Sequence, residues 1–160
     1  MINQIETGRT GASVGSLTRL ASGLEVPLAE FFLDSGDDDA RSSPDGRQSA
    51  AKVVKRNRRK RLQLAESHLV YELLTPDLRW PFEFLWVQLE PNHPPIESRS
   101  HPGQECALVV AGTMTVIFPT EEFVLDTGDT ISFDSGIPHH IENRGTETII
   151  QVSAISPPSF

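Results

Sequence analysis

One cysteine, one tyrosine and two methionines in 160 residues leave this chain with few of the side chains that staple or soften a fold. Cys106 is the lone thiol, so no internal disulfide is possible, which fits a reducing compartment. Long apolar runs are also missing. No stretch approaches the roughly 20 residues that a membrane helix needs, and the first residues lack the pattern of a signal peptide. A cytoplasmic protein is therefore expected. A Gly-rich phosphate loop and a serine nucleophile elbow are likewise absent from the sequence. Positive charge is scarce overall, with a net charge of −8. It is also unevenly placed: residues 1–50 carry −4, residues 51–61 carry +7 and residues 62–160 carry −11. An acidic C-terminal body argues against broad nucleic-acid binding by that part. The basic island Lys52–Arg61 is the exception.

The chain divides into three stretches. In residues 1–33, Leu17, Leu20, Ala21 and Leu24 recur at helical spacing, Ser13 can cap the run, and Pro27 can open a second short helix carrying Leu28, Phe31 and Phe32. So short a helical piece cannot bury its own apolar face and needs a partner. Residues 34–51 hold no large apolar side chain and are rich in Asp, Ser and Gly, which reads as a flexible linker. The third stretch, residues 52–160, becomes period-two from Leu62 onward. Its short runs are HLVYELL, FEFLWVQLE, ECALVV, TMTVIF, EEFVL, TISF, HIEN and ETIIQVSAI, separated by Pro, Asn, Asp and Gly. Many short strands at such spacing predict an antiparallel sandwich or barrel.

Two motifs stand out within the strands. SHPGQECALVVAG has the form H-P-G-x-E followed by a strand and a glycine turn, and GDTISFDSGIPHHIEN ends in a P-H-x-x-x-N pattern. In this order and spacing they resemble the paired motifs of cupins, over about 100 residues. The resemblance implies a jelly-roll barrel with a site formed by Arg99, His101, Glu105 and His139. In metal-binding cupins the first motif gives two histidines and a glutamate and the second gives another histidine. Here Arg99 holds the place of the first histidine. His101, Glu105 and His139 are left as metal ligands, and two imidazoles with one carboxylate suit Zn²⁺ or Fe²⁺ with open positions for water or ligand. An organic or anionic ligand held by the same four residues is the competing reading, and a purely structural polar pocket is the third.

The remaining chemistry-bearing residues receive plainer assignments. His140 follows His139 on a strand and should face away. His93 is expected in solvent, and Glu72, Glu83 and Glu90 are expected to point outward. Cys106 alternates with Glu105, so it should lie outside the pocket, and it has no neighbouring base to make it a nucleophile. Trp80 and Trp86 are assigned to the core or an interface.

INQIETGRTGASVGSLTRLASGLEVPLAEFF, at the start of the chain, is similar to the second half of an XRE (Cro/C1-type) helix-turn-helix domain. Ile5–Arg9, then Ser13, Leu17, Leu20, Ala21, Leu24 and Val26, then Pro27, Leu28 and Phe32 carry the match. The first helices of such a domain and most of its recognition helix have no counterpart after Met1. The resemblance implies an N-terminally truncated domain with Asn3, Gln4, Thr7 and Arg9 nearest to DNA. The expected fold is thus mainly β: a cupin jelly-roll barrel preceded by a small α-helical fragment of a helix-turn-helix domain. The basic stretch Lys52–Arg61 reads as the charged first edge strand of the barrel in preference to a phosphate-binding arm. The function implied is a bacterial transcriptional regulator that binds DNA, whose cupin domain senses a small-molecule effector or a metal and holds a homodimer together. A metal-dependent cupin enzyme, of isomerase or dioxygenase type, is the alternative. A further one is a dimerisation partner that does not itself bind DNA.

Overall fold

In the computed structural model of the chain, residues 51–64 and 68–159 are described. The helices expected in residues 1–33, the linker over residues 34–50 and the residues Asn3, Gln4, Thr7 and Arg9 lie outside them.

Nine strands form the fold: β1 (Arg61–Leu64), β2 (Leu69–Leu73), β3 (Glu83–Leu89), β4 (Gln104–Ala111), β5 (Met114–Ile117), β6 (Glu122–Leu125), β7 (Thr130–Asp134), β8 (His140–Glu142) and β9 (Ile149–Ser156). Each period-two run of the sequence becomes one strand, from β2 to β9. Six strands pair in the order β1-β2-β3-β9-β4-β7, and three in the order β6-β5-β8. All pairings are antiparallel. This is the antiparallel two-sheet arrangement that the alternation predicts, with the jelly-roll form that the motif resemblance implies.

The basic stretch departs from expectation. Only Arg61 of the island joins a strand. The residues before it run as a loop with a short 3-10 turn at Arg56–Arg58. Consecutive cations repel and expose well, and β1 begins where apolar side chains first return to alternate positions. The island therefore flanks the edge strand and does not form it.

Alternation decides what each sheet buries. On β3, Glu83, Leu85, Val87 and Leu89 face inward and are buried, and on β9 Ile149, Gln151, Ser153 and Ile155 do the same. Met114 and Val116 of β5 meet them from the smaller sheet. Leu89, Met114, Val87, Val109 and Val116 are all at least 98% enclosed. At about 25 cal/mol per Å² of apolar surface, such burial is the main force holding the sheets together.

Two loops fix the motifs in place. Asn143 is a buried staple: its side-chain N–H groups donate to the carbonyls of Leu89 (2.9 Å) and Glu147 (2.8 Å), and its side-chain oxygen accepts from the Gly145 N–H (3.0 Å). The Asn143 backbone N–H donates to His93 Nε2 at 3.0 Å. His93 is thus built into the loop packing and not simply solvated, which corrects the sequence expectation. The other loop turns at Gly103, with φ +105, one residue before β4. Any side chain there meets the Ser156 carbonyl, since a Cβ would lie 2.1 Å from its oxygen. Gly103→Ala is accordingly expected to cost roughly 2 kcal/mol or more, from a strained backbone and a clash with a fixed carbonyl. A lower urea midpoint with an unchanged slope checks this.

Candidate functional site

Glu105 lies on β4 of the large sheet, facing inward opposite Phe133 of β7. His101 sits in the loop before β4, where its backbone N–H donates to the Ser135 carbonyl (2.9 Å) and Ser135 N–H returns a bond to Gly103 (3.1 Å). His139 precedes β8 of the small sheet and forms an isolated bridge with Arg99, with reciprocal backbone bonds of 2.9 and 2.8 Å. That bridge draws the second motif against the first. As a result His101 Nε2 and His139 Nε2 each lie 3.7 Å from Glu105 Oε2, and all three side chains are more than four-fifths buried.

The local chemistry orients these groups. His139 Nδ1 is 2.8 Å from the Ile137 carbonyl, which can only accept. Nδ1 therefore carries a proton, and Nε2 is the ring nitrogen that faces Glu105. Phe133 and Phe118 wall the ring in, with centroids 4.7 and 6.2 Å away, and His101 stands edge-on at 5.4 Å. Burial alone would raise the Glu105 pKa, but the imidazoles of His101 and His139, with Ser153, overcome it and bring it down to about 2. Burial would lower that of His139, yet the facing Glu105 and the Ile137 carbonyl leave it raised. The Ser153 hydroxyl leans on Glu105 without closing a hydrogen bond of ordinary geometry.

The three donors suit a divalent metal. Their ligating atoms all lie within 4.8 Å of one another. Neighbouring atoms around a tetrahedral ion with bonds near 2.1 Å stand about 3.4 Å apart, so the 3.7 Å pairs need to close by only a few tenths of an ångström. The His139 Nδ1–carbonyl bond is the outer contact that such ligands usually have. Arg99 contributes backbone to the bridge, and its charge is felt inside the barrel by Tyr71.

The other assignments sort cleanly. His140 faces away, with Nδ1 2.8 Å from Ser98 Oγ and Nε2 3.4 Å from Glu142. Cys106 is exposed and outside the barrel. Glu90 is exposed, and Glu72 pairs with Arg59 at 3.0 Å. Trp86 is half-buried beneath the Arg59 guanidinium, and Trp80 packs edge-on to Phe82 at the surface. Glu83 corrects the expectation: it is fully enclosed, and Ser159 Oγ donates to its Oε1 at 2.6 Å. It shares the inward parity of Leu85, Val87 and Leu89, and that parity was the available signal.

Sequence reasoning also passed over an inner polar wall. Tyr71, Glu83, Gln151 and Ser153 all take inward positions on β2, β3 and β9. Gln151 Oε1, Ser153 Oγ, Ser135 Oγ and His101 Nδ1 are buried without a hydrogen-bond partner. Several unmatched polar atoms around one interior are costly unless water or a ligand meets them.

Tyr71 keeps some surface exposure while its hydroxyl end is enclosed. Burial pushes the phenol up from 10.0 to about 12. Arg99 pulls it partly back, and Glu105 and Glu83 add to the rise. A raised folded pKa contributes stability that is whole below the unfolded value and lost as pH climbs through the folded one. As the sole tyrosine, Tyr71 gives an unmixed signal. Near-ultraviolet absorbance should show it un-ionised at pH 10–11 in the folded chain, with ionisation near 12, and at the ordinary value in denaturant.

With this geometry in hand, comparison with known proteins places the fold. Residues 85–155 match the cupin domain family. No curated protein matches the chain. An HTH_3 family transcriptional regulator from Vibrio cholerae aligns at 23% identity and TM-score 0.63, covering 99% of this chain and 79% of its own. The cupin domain of an XRE family transcriptional regulator from Enterobacter cloacae aligns at 23% identity and TM-score 0.51, covering 57% of this chain and 98% of its own. HppE, solved in its Fe(II) form, aligns at 18% identity and TM-score 0.59, covering 89% and 76%. At these identities the likeness is one of fold. The strands therefore have the cupin jelly-roll fold, and residues 85–155 of it match the cupin domain family.

Proposed function

We propose that this chain is a cytoplasmic transcriptional regulator whose cupin barrel senses a metal ion or a small molecule and whose N-terminal stretch belongs to a DNA-binding module. The observation that carries the reading is the union, in one chain, of an XRE-like half-motif in residues 1–33 with a barrel whose three donors point at one spot. The alignment to the Vibrio cholerae regulator supports it, because that likeness runs through nearly the whole chain and not the barrel alone. Residues 1–33 form the partial helix-turn-helix domain, 34–51 the linker and 52–160 the cupin domain.

In this reading His101, Glu105 and His139 hold Zn²⁺ or Fe²⁺, and the bound ion supplies a Lewis-acidic centre with free positions for an effector. Arg99 adds a positive charge that favours an anionic effector group. The protein's own part is to hold the His139 ring through Nδ1, exclude water with Phe118 and Phe133, and keep Glu105 ionised. Occupancy then favours one arrangement of a cupin-held homodimer over another, and so alters DNA affinity through Asn3, Gln4, Thr7 and Arg9.

A second reading, a metal-dependent isomerase or dioxygenase, is favoured by the same three donors and by the unmatched polar wall behind them.

Metal titration by calorimetry tests the site. Glu105→Ala and His139→Ala are each expected to weaken Zn²⁺ or Co²⁺ binding by at least about 100-fold, since loss of outer contacts alone costs 10–100-fold. Unchanged affinity in both variants rejects the metal site. Gel-shift measurements with the gene's own promoter test the function, and a change in binding when metal is added or chelated is the expected result. Turnover of a substrate by the metal-loaded chain, without any promoter binding, favours the enzyme.

A further inference from the structure

The basic stretch before β1 is at odds with the rest of the barrel. Between Lys52 and Arg61 it carries three lysines, four arginines and no acid, whereas residues 62–160 carry −11. A charged edge strand would account for such a run, but the structure gives it no strand before Arg61. Protection of a sheet edge therefore does not explain these charges.

The loop is held in one shape by contacts that leave most of its charges outside. The Lys60 carbonyl accepts from the Leu73 N–H at 2.8 Å, and the Arg58 N–H donates to the Lys55 carbonyl at 2.8 Å across the 3-10 turn Arg56–Arg58. Arg59 is the anchor: it pairs with Glu72 at 3.0 Å and lies over the Trp86 ring at 5.5 Å. Lys52 meets Asp77 at 3.8 Å. Lys55, Arg56, Asn57 and Arg61 are exposed, and Lys60 is half-buried. Among the described residues, no acid pairs with Lys55, Arg56, Lys60 or Arg61. Like charges this close repel one another, and a loop pinned through Arg59 and Lys60 cannot relax to separate them. An anionic partner relieves that repulsion.

Spacing selects the partner. The backbone at Lys55 and Arg59, on either side of the turn, is extended. Three 3-10 steps of about 2.0 Å and three extended steps of about 3.3 Å carry the loop roughly 16 Å from Lys55 to Arg61. A duplex presents one phosphate per roughly 3.4 Å of axis on each strand. Such a length faces about four phosphates, a match for the four unpaired cations. The Asn57 amide is placed to donate among them, and the planar forks of Arg56 and Arg61 suit phosphate oxygens. The stretch also follows directly on residues 34–51, read from composition as the linker from the XRE-like segment. A coil of that length spans roughly 23 Å, less than one turn of duplex.

We propose that the loop Lys55–Arg61 is a second DNA-contact element, gripping the phosphate backbone beside the ground covered by the XRE-like segment. It positions the barrel on the duplex and reads no base. The acidic body turns away from DNA, so the loop also fixes which side of the barrel approaches it. The choice of DNA as partner rests on the regulator reading.

Fluorescence anisotropy of the full chain on a random duplex of about 25 base pairs, with salt as the variable, tests this. Four phosphate contacts contribute about 3.6 to the slope of log affinity against log salt, a loss of roughly 150-fold between about 50 and 200 mM. Replacing Lys55, Arg56, Lys60 and Arg61 together by Gln should remove that contribution. Lys55→Gln with Arg56→Gln, both at exposed positions, should remove half of it with the circular dichroism unchanged. The losses should be equal on random and promoter duplexes, because phosphate contacts carry no sequence information. Full affinity and slope in both variants overturn the proposal and leave the regulator reading standing. Binding of neither duplex by the unmodified chain at low salt, with or without metal, overturns both. Tighter binding to phosphatidylserine vesicles than to duplex at the same salt, lost in the variants, gives the loop to a lipid surface and overturns its assignment to DNA.

Discussion

The pair of backbone hydrogen bonds between Arg99 and His139 is the constraint on which the rest of the site depends. Arg99 belongs to the approach to the large sheet and His139 to the first step of the small one. The β4–β7 ladder and the Ser135 bonds already join the two motifs, and the bridge adds the tie that carries His139 to them. With it, two imidazoles and a carboxylate meet in a space enclosed by Phe118 and Phe133. The Gly103 turn and the Asn143 staple act in its service: one lets the chain drop into β4 against the Ser156 carbonyl, the other locks the loop that follows β8. Arg99 holds the bridge through its backbone, so that role is open to many side chains.

Much of this was legible in the sequence, for physical reasons that differ by element. Strands β2 to β9 were readable because alternate burial and turn residues leave a period-two trace that no tertiary contact has to supply. His101, Glu105 and His139 were singled out by the resemblance of the two motifs to those of cupins, and the fold brings their side chains together. Glu83 was misread because a glutamate at the start of a strand looks solvated, and its partner Ser159 lies 76 positions along the chain. His93 was misplaced for the same reason, since Asn143 is 50 residues away. The basic island was assigned to a strand on charge alone, whereas strand formation at Arg61 waits for alternating apolar side chains. What the sequence hid was long-range polar pairing, and what it revealed was local periodicity.

The barrel interior carries two environments side by side. The end toward the small sheet is aromatic and imidazole-rich, and holds an ionised carboxylate through close basic groups. The end toward β2 and β3 holds Tyr71, Glu83, Gln151 and Ser153, a polar lining set among leucines and valines. A core built only for stability would replace those four with apolar residues at a gain.

The strand order has a consequence for how the molecule comes into being. β9, the last of the described strands in chain order, sits in the middle of the large sheet between β3 and β4. Until it emerges, the sheet exists as two unjoined parts, β1-β2-β3 and β4-β7, each with a bare edge of unpaired N–H and C=O groups and an uncovered apolar face. Insertion of one strand then completes every remaining ladder at once. Contacts between residues so distant in the chain make for slow, all-or-none closure, and a nascent chain with two open edges is a target for chaperones and for mispairing with its neighbours on the same message. Assembly of this barrel thus waits on the eight residues of β9.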